Sequence, residues 1–367
     1  MFISDKIKLR DNNFDFLRFL AATLVIFSHS FALTGRGFEP YLWLTGYATF
    51  GTLVVNIFFV LSGFLITKSW LDNPGVIVFL KKRILRIMPG LFVAVVFTIL
   101  VIGPLVTSLN IGKYFLHPMT REYFKNAFLS VNFFLPGVFT DNIYKGAVNG
   151  SLWTLPVEFK LYILVLVFGI VKLFQKRILV LLAGMALLSL VAINLYSPTL
   201  YSIGQTDLDF LRLAVYFFMG ILFYLYRDKI IFSKYIFSLA LIVLLASFKL
   251  KYGLIISFLV LPYIILYIGL FKIKALNIFS KYGDFSYGLY IYAFPVQQTI
   301  AYLSKNKIST IALFFFAFIV TLLLAVCSWN FVEQPFIKLK SIQFRVSIKQ
   351  YFLRYFAAIS GSINENV

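Results

Sequence analysis

Ten runs of apolar residues punctuate the chain, at 14–33, 50–70, 88–109, 152–171, 178–196, 210–226, 230–248, 254–270, 285–303 and 308–329. Each is close to the ~20 residues a helix needs to cross the hydrocarbon core of a bilayer. Within the runs the apolar positions are continuous rather than alternating, which excludes a transmembrane β-barrel. The pattern predicts an all-α fold: a polytopic membrane bundle of about ten helices. Connections are short apart from residues 110–150, the longest polar segment, so no appended soluble domain is expected. The expected division is a membrane domain over residues 1–340 and a basic tail over 341–367. In the tail, Phe344, Ile348, Tyr351, Phe352 and Tyr355 recur at helical spacing with Arg345, Lys349 and Arg354 between them. That suits either an interfacial helix on an anionic leaflet or a partly disordered basic tail.

Composition agrees with a membrane reading. Of the 367 residues, 61% are hydrophobic and 13% charged, whereas soluble domains carry about twice that charged fraction. Lys and Arg number 34 against 14 Asp and Glu, a net charge of +20. In a soluble protein that excess points to nucleic acid, but here the cations cluster between the apolar runs. With the N-terminus in the cytoplasm, 22 of the 34 basic residues fall in inner segments and 9 in outer loops. The other three, Arg18, Lys160 and Arg212, lie within or at the ends of spans. This asymmetry places both termini inside and makes the bilayer, not nucleic acid, the partner. Lys6, Lys8 and Arg10 before the first run resemble a signal-peptide n-region. That run, however, is long, contains Arg18 and lacks a small-residue cleavage site, so it reads as a retained helix. The one cysteine, Cys327, leaves no disulfide framework or cysteine-rich metal site, and no metal is expected.

Ionisable groups at membrane depth are costly and therefore candidates for function. Arg18 and His29 are eleven residues apart, which returns them to within about 20° of one another on one helix, some 16 Å apart along its axis. Arg18 then lies near the inner interface and His29 in the outer half. A guanidinium at that depth suits phosphate, although a snorkelling arginine would look the same. An imidazole in an apolar bundle suits general-base work, although an interhelical hydrogen bond is the plainer alternative. Glu158 falls in the outer half of the fourth run, at the expected depth of His29, where it can hold and charge-balance the imidazole. Otherwise it pairs with a cation; Lys160, two residues on, faces elsewhere. Asp209 and Arg212 are placed to pair with each other, and Asp15 with Arg18. His117, before Pro118 in the long loop, reads as a surface residue.

The residues around these positions resemble a family pattern. The run FDFLRFLAATLVIFSHS, holding Arg18 and His29, resembles the first helix of the acyltransferase family 3 membrane proteins, with their Arg-x10-His signature. FFVLSGFLI at 58–66, KKRILRIMPG at 81–90 with Arg83 and Arg86, and GSLWTLPVEFKLY at 150–162 are similar to later family blocks. GDFSYGLYIYAFPVQ at 283–297 and WNFVEQPF at 329–336 resemble the last ones. The matches run in order through nearly the whole chain, which is far more specific than any single piece. One departure is Tyr292–Ala293–Phe294, where many relatives carry a histidine, so that turn is expected to contribute no catalyst.

The resemblance implies transfer of an acyl group, usually acetyl, from acyl-CoA to a carbohydrate hydroxyl, with His29 catalytic and Arg18 handling the donor. Acyl-CoA is then a substrate rather than a bound cofactor. In the expected mechanism its nucleotide docks at the inner face on Arg18, Arg83 and Arg86. His29 deprotonates an acceptor arriving from outside, and Glu158 supports the imidazolium. Ser62, Asn56 and Trp153 are candidate oxyanion donors. The acceptor expected is a bacterial surface polysaccharide or its lipid-linked precursor, such as lipopolysaccharide O-antigen, and the location is the inner membrane. Two other classes compete. A transporter or flippase for a lipid-linked sugar would also use intramembrane Arg and His, but it usually shows paired halves, which are not visible here. A non-catalytic assembly or sensor protein would need no aligned pair.

Overall fold

The computed structural model describes residues 1–8, 12–145, 147–196, 204–273, 276 and 283–339. The expected tail at 341–367 lies outside the described residues. Every one of the ten apolar runs is a helix: α1 Phe14–Thr34, α2 Phe50–Asp72, α3 Val76–Phe97, α4 Thr154–Ile170, α5 Arg177–Tyr196, α6 Gln205–Leu225, α7 Lys234–Ala246, α8 Gly253–Leu270, α9 Ser286–Leu303 and α10 Thr310–Ser328. Among the described residues the fold is helical throughout, and the only β pairing is two isolated bridges. Among the described residues seven helices are long and apolar enough to cross a membrane. The other three are α4, α7 and α9. At 13 residues, α7 spans only about 20 Å. The apolar sequence of α9 is interrupted by the polar Gln297 and Gln298, both fully buried.

The largest departure from the apolar pattern is α3. It begins twelve residues before the predicted run, at Val76 directly after Gly75. Lys81, Lys82, Arg83 and Arg86 are good helix formers, so the helix continues through them, and the two arginines expected in a connecting loop stand on a helix. Pro89 sits inside it. Beyond Phe97 the chain runs on through a π segment, Thr98–Ile102, and a last turn, Gly103–Val106. The Tyr114 hydroxyl donates to the Ile99 carbonyl there (3.0 Å), a partner for backbone that the widened turn loosens.

Close packing depends on small residues. A Cβ on Gly63 would stand 2.0 Å from the Phe217 carbonyl oxygen, and one on Gly220 2.3 Å from that of Val60. Helices α2 and α6 therefore touch backbone to backbone, as small residues permit in membranes. The long connection at 110–150 is not a free polar loop. Tyr114, Tyr123, Val138 and Phe139 are buried, and amides fasten it to α9. Asn142 Nδ2 donates to the Gln298 carbonyl (2.9 Å), Gln298 Nε2 donates to the Ala147 carbonyl (2.8 Å), and Asn149 Nδ2 donates to the Ile291 carbonyl (2.8 Å). His117 is at the surface, as expected, and accepts from the Met119 amide through Nδ1.

Candidate active site between two cavities

Helices α1, α2, α4 and α9 enclose two cavities that follow one another along the bundle. One, of about 630 Å³ and named outer for the orientation expected from the chain's charges, is lined by His29 of α1, Asn56 of α2, Trp153 before α4, and Asp209 and Arg212 of α6. The inner one, of about 140 Å³, is lined by Arg18 of α1, Ser62 of α2, Arg83 and Arg86 of α3, and Glu158 of α4. Val55 and Tyr290 line both. The helical period thus does what it promised: Arg18 and His29 open onto one line of space from a single helix, at different depths.

His29 packs edge-on against Phe294, with ring centroids 5.0 Å apart, and its Nδ1 is buried without a hydrogen-bond partner. The neighbouring turn of α1 is locked to α9. Gln297 Nε2 donates to Ser30 Oγ and to the Ile26 carbonyl, both at 2.8 Å. Gln297 closes the 283–297 block, but its spacing gives no hint that it would reach α1.

Glu158 is placed differently from expectation. It accepts from Ser62 Oγ (2.7 Å) and from the Tyr162 hydroxyl, and it belongs to the inner, arginine-lined cavity. It does not hold the imidazole. The reason is register: Ser151 and Trp153, which do line the outer cavity, precede Glu158 by seven and five residues, so the carboxylate is one to two turns deeper. Ser62, an oxyanion candidate, goes with it. Asn56 and Trp153 stay beside His29. Lys160 is exposed and points its ammonium over Phe210 (5.8 Å), away from Glu158 as expected. The anticipated Asp209–Arg212 pair is present at 3.4 Å, on the wall of the outer cavity.

The arginines have more company than the sequence suggested. Arg18 lies 3.4 Å from Asp15, as predicted, and 3.8 Å from Asp284. Arg86 lies 2.5 Å from Asp284 and 3.5 Å from Glu333. Glu333 is 1% exposed and also accepts from Ser328 Oγ (2.9 Å). Carboxylates from the α8–α9 connection and from the π segment just beyond α10 therefore balance two of the three arginines, both half-buried. Among the described residues Arg83 has no carboxylate within ion-pair distance. One of its amino groups reaches Ser69 Oγ at 3.5 Å, its Nε is buried without a partner, and its plane lies near the Phe79 and Tyr162 rings. Asp284 escaped sequence reading because it stands in a connection, where a lone acid is normally solvated. Among the described residues no group of three His, Cys, Asp or Glu side chains is gathered to hold a metal.

The chain resembles known proteins over most of its length. Residues 11–330 match the profile of a family described as "Acyltransferase domain". The chain is 31% identical to an "O-acetyl transferase" of Shigella phage Sf6 over 89% of its length and 96% of the phage protein. It is 36% identical to "Nodulation protein 10" of Rhizobium leguminosarum bv. viciae over 41% of this chain and 42% of that one. No solved structure matches. An arginine and a histidine one above the other on the first helix, in a chain matched almost end to end, lead to one conclusion: the protein belongs to acyltransferase family 3 and is an O-acyltransferase with several membrane-type helices.

Proposed function

We propose that the protein transfers an acetyl group from acetyl-CoA on the cytoplasmic side to a hydroxyl of a carbohydrate held on the outer side, a surface polysaccharide or a lipid-linked precursor. The observation that carries this reading is the pair of cavities meeting at Val55 and Tyr290, one with the arginines and one with His29. A thioester entering through the inner cavity and a hydroxyl entering the outer one meet beside His29. The relative from Shigella phage Sf6 supports acetyl as the group and oxygen as the acceptor atom.

In this reading His29 takes the proton from the acceptor hydroxyl as its oxygen attacks the thioester carbonyl. The carbon–sulfur bond then breaks, and the departing thiolate receives that proton. General-base help of this kind is worth about 10² to 10⁴ in rate. Asn56 and Trp153 line the same cavity and are the donors within reach of the developing oxyanion. Arg18, Arg83 and Arg86 flank the donor's passage. Glu158 shapes that passage through Ser62 and Tyr162 rather than acting on the imidazole.

The membrane arrangement follows. Ten crossings put both termini in the cytoplasm of a bacterial inner membrane. An even number is supported by one cluster. Arg18 near the start of α1 and Glu333 beyond α10 both belong to the ion-pair group around Arg86 and Asp284, so the chain returns to the end of the bundle where it began. The test is His29→Ala, with O-acetyl signals of the surface polysaccharide read by NMR. Loss of the signals is expected, and persistent acetylation refutes the proposal.

A further inference from the structure

A third cavity, of about 770 Å³, lies at the end of the bundle where α1, α5 and α8 begin or end, and it shares Leu65 with the inner cavity. Its charged lining is Lys6, Lys68, Arg177 and Arg227 against Asp72 and Asp228. The site is built rather than incidental. The N-terminal helix, Ile3–Lys8, is strapped across it by backbone bonds. The Ile3 amide donates to the Ile230 carbonyl (3.0 Å), Ser4 to Arg227 (2.9 Å) and Phe232 to Met1 (2.9 Å). That strap carries Lys6, whose ammonium sits 4.9 Å from the Phe232 ring centroid.

We infer that this vestibule holds the nucleoside polyphosphate end of the acyl-CoA donor. The inference rests on the proposed donor and adds a binding site to it. Size decides the first point: the inner cavity holds about 140 Å³ and is too small for a nucleotide, but it can pass a slim acyl-bearing arm. Charge decides the second. Arg18 and Arg86 already face Asp15, Asp284 and Glu333, so the inner cavity has little positive charge left for several phosphates. The vestibule has two more cations than anions and five times the volume. Its pairs are also more exposed: Arg177 with Asp228, at 3.0 Å, and Lys68 with Asp72 both lie open to solvent, and exposed pairs exchange partners at small cost. A phosphate can take the guanidinium in bidentate fashion. The three cavities then form one path, in which the phosphates stay at the cytoplasmic mouth, the arm passes Leu65 and Arg83, and the thioester reaches Tyr290 and His29.

The experiment uses the full-length protein in nanodiscs of neutral lipid, with CoA, dephospho-CoA and acetyl-pantetheine as probes. Lys6→Ala and Arg177→Ala leave the fold intact, because neither side chain is buried. Arg227 is left alone, since it caps α6 through the Tyr224 carbonyl (2.7 Å). Each variant is expected to weaken CoA binding about three- to tenfold. The preference of the wild type for CoA over dephospho-CoA should shrink in the double variant. The KM for acetyl-CoA should rise with kcat changing far less, and acetyl-pantetheine turnover should be insensitive. Addition of phosphatidylglycerol to the nanodiscs separates the sources of phosphate. If the variants lose anionic-lipid binding but keep wild-type affinity for CoA, the vestibule is a headgroup site and the inference is overturned. Wild-type CoA affinity in the double variant without any lipid effect also overturns it, and in either case the proposed acyl-CoA reaction is untouched. No CoA binding by the wild-type protein overturns both.

Discussion

The hydroxyl of Tyr290 lies 2.7 Å from Thr154 Oγ1 and donates to the Ser151 carbonyl at 3.0 Å, on the wall where the outer and inner cavities meet. One side chain from α9 therefore joins the start of α4 and separates the two compartments. Tyr290→Phe removes both bonds while keeping the ring, at a cost of about 1 kcal/mol in stability. Its larger effect is expected on coupling. With the ring no longer anchored, water gains access to the thioester, and CoA release without acceptor rises relative to transfer. The ratio of free thiol formed to acceptor acetylated measures this; an unchanged ratio removes Tyr290 from the partition.

His29 and Glu158 should differ sharply in their effect on rate, because they stand in different cavities. His29→Gln is expected to lose 10² or more in transfer, the scale of general-base catalysis. Glu158→Gln keeps an acceptor oxygen for Ser62 and Tyr162 and should retain at least about a tenth of kcat, with the change concentrated in KM for the donor. Labelled acetyl-CoA and a fixed acceptor give both numbers. Equal losses in kcat would restore a carboxylate–imidazole partnership that the contacts do not contain.

Arg86 is bracketed by Asp284 and Glu333. Arg86→Met leaves the buried Glu333 without its cation and Asp284 with Arg18 alone, at 3.8 Å, a change of the kind that costs about 3–5 kcal/mol. The melting temperature in detergent should fall, and yield with it. Asp284→Asn combined with Glu333→Gln removes that penalty and should restore much of the stability of Arg86→Met. If the triple variant melts no higher than the single one, Arg86 matters for another reason.

The backbone contact of α2 with α6 gives a packing test. Gly63→Ala would drive a methyl into the Phe217 carbonyl 2.0 Å away. Because the obstacle is backbone, the helices must separate, and the loss should reach or exceed the ~1–3 kcal/mol of ordinary overpacking. Gly75→Ala is the comparison: its nearest neighbour is the Val78 side chain at 3.8 Å, and its backbone is extended. It should melt like the wild type.

Much of this protein is local information and so was readable from the chain alone. Ten apolar runs became ten helices, because an apolar segment shielded from water must satisfy its own backbone hydrogen bonds. The 3.6-residue period put Arg18 and His29 on one face of α1, and the three-residue offsets of Asp15 with Arg18 and Asp209 with Arg212 became ion pairs. Position along a single helix also fixes which half of the bundle each residue occupies, within a turn or two. That margin is where Glu158 was misjudged: a shift of one to two turns moved it from the histidine's cavity to the arginines'. Partners on other helices were decided only when the bundle closed. Asp284 and Glu333 reach Arg86 from 198 and 247 residues away, Gln297 locks the turn beside His29, and Gly63 and Gly220 set how closely α2 and α6 approach. No periodicity encodes such meetings, because a charge in a connection looks solvated and a glycine in a helix looks like a defect until the neighbouring backbone is in place. The cavities and their order belong to the same class: they are the space left over after packing, and only the assembled helices define it.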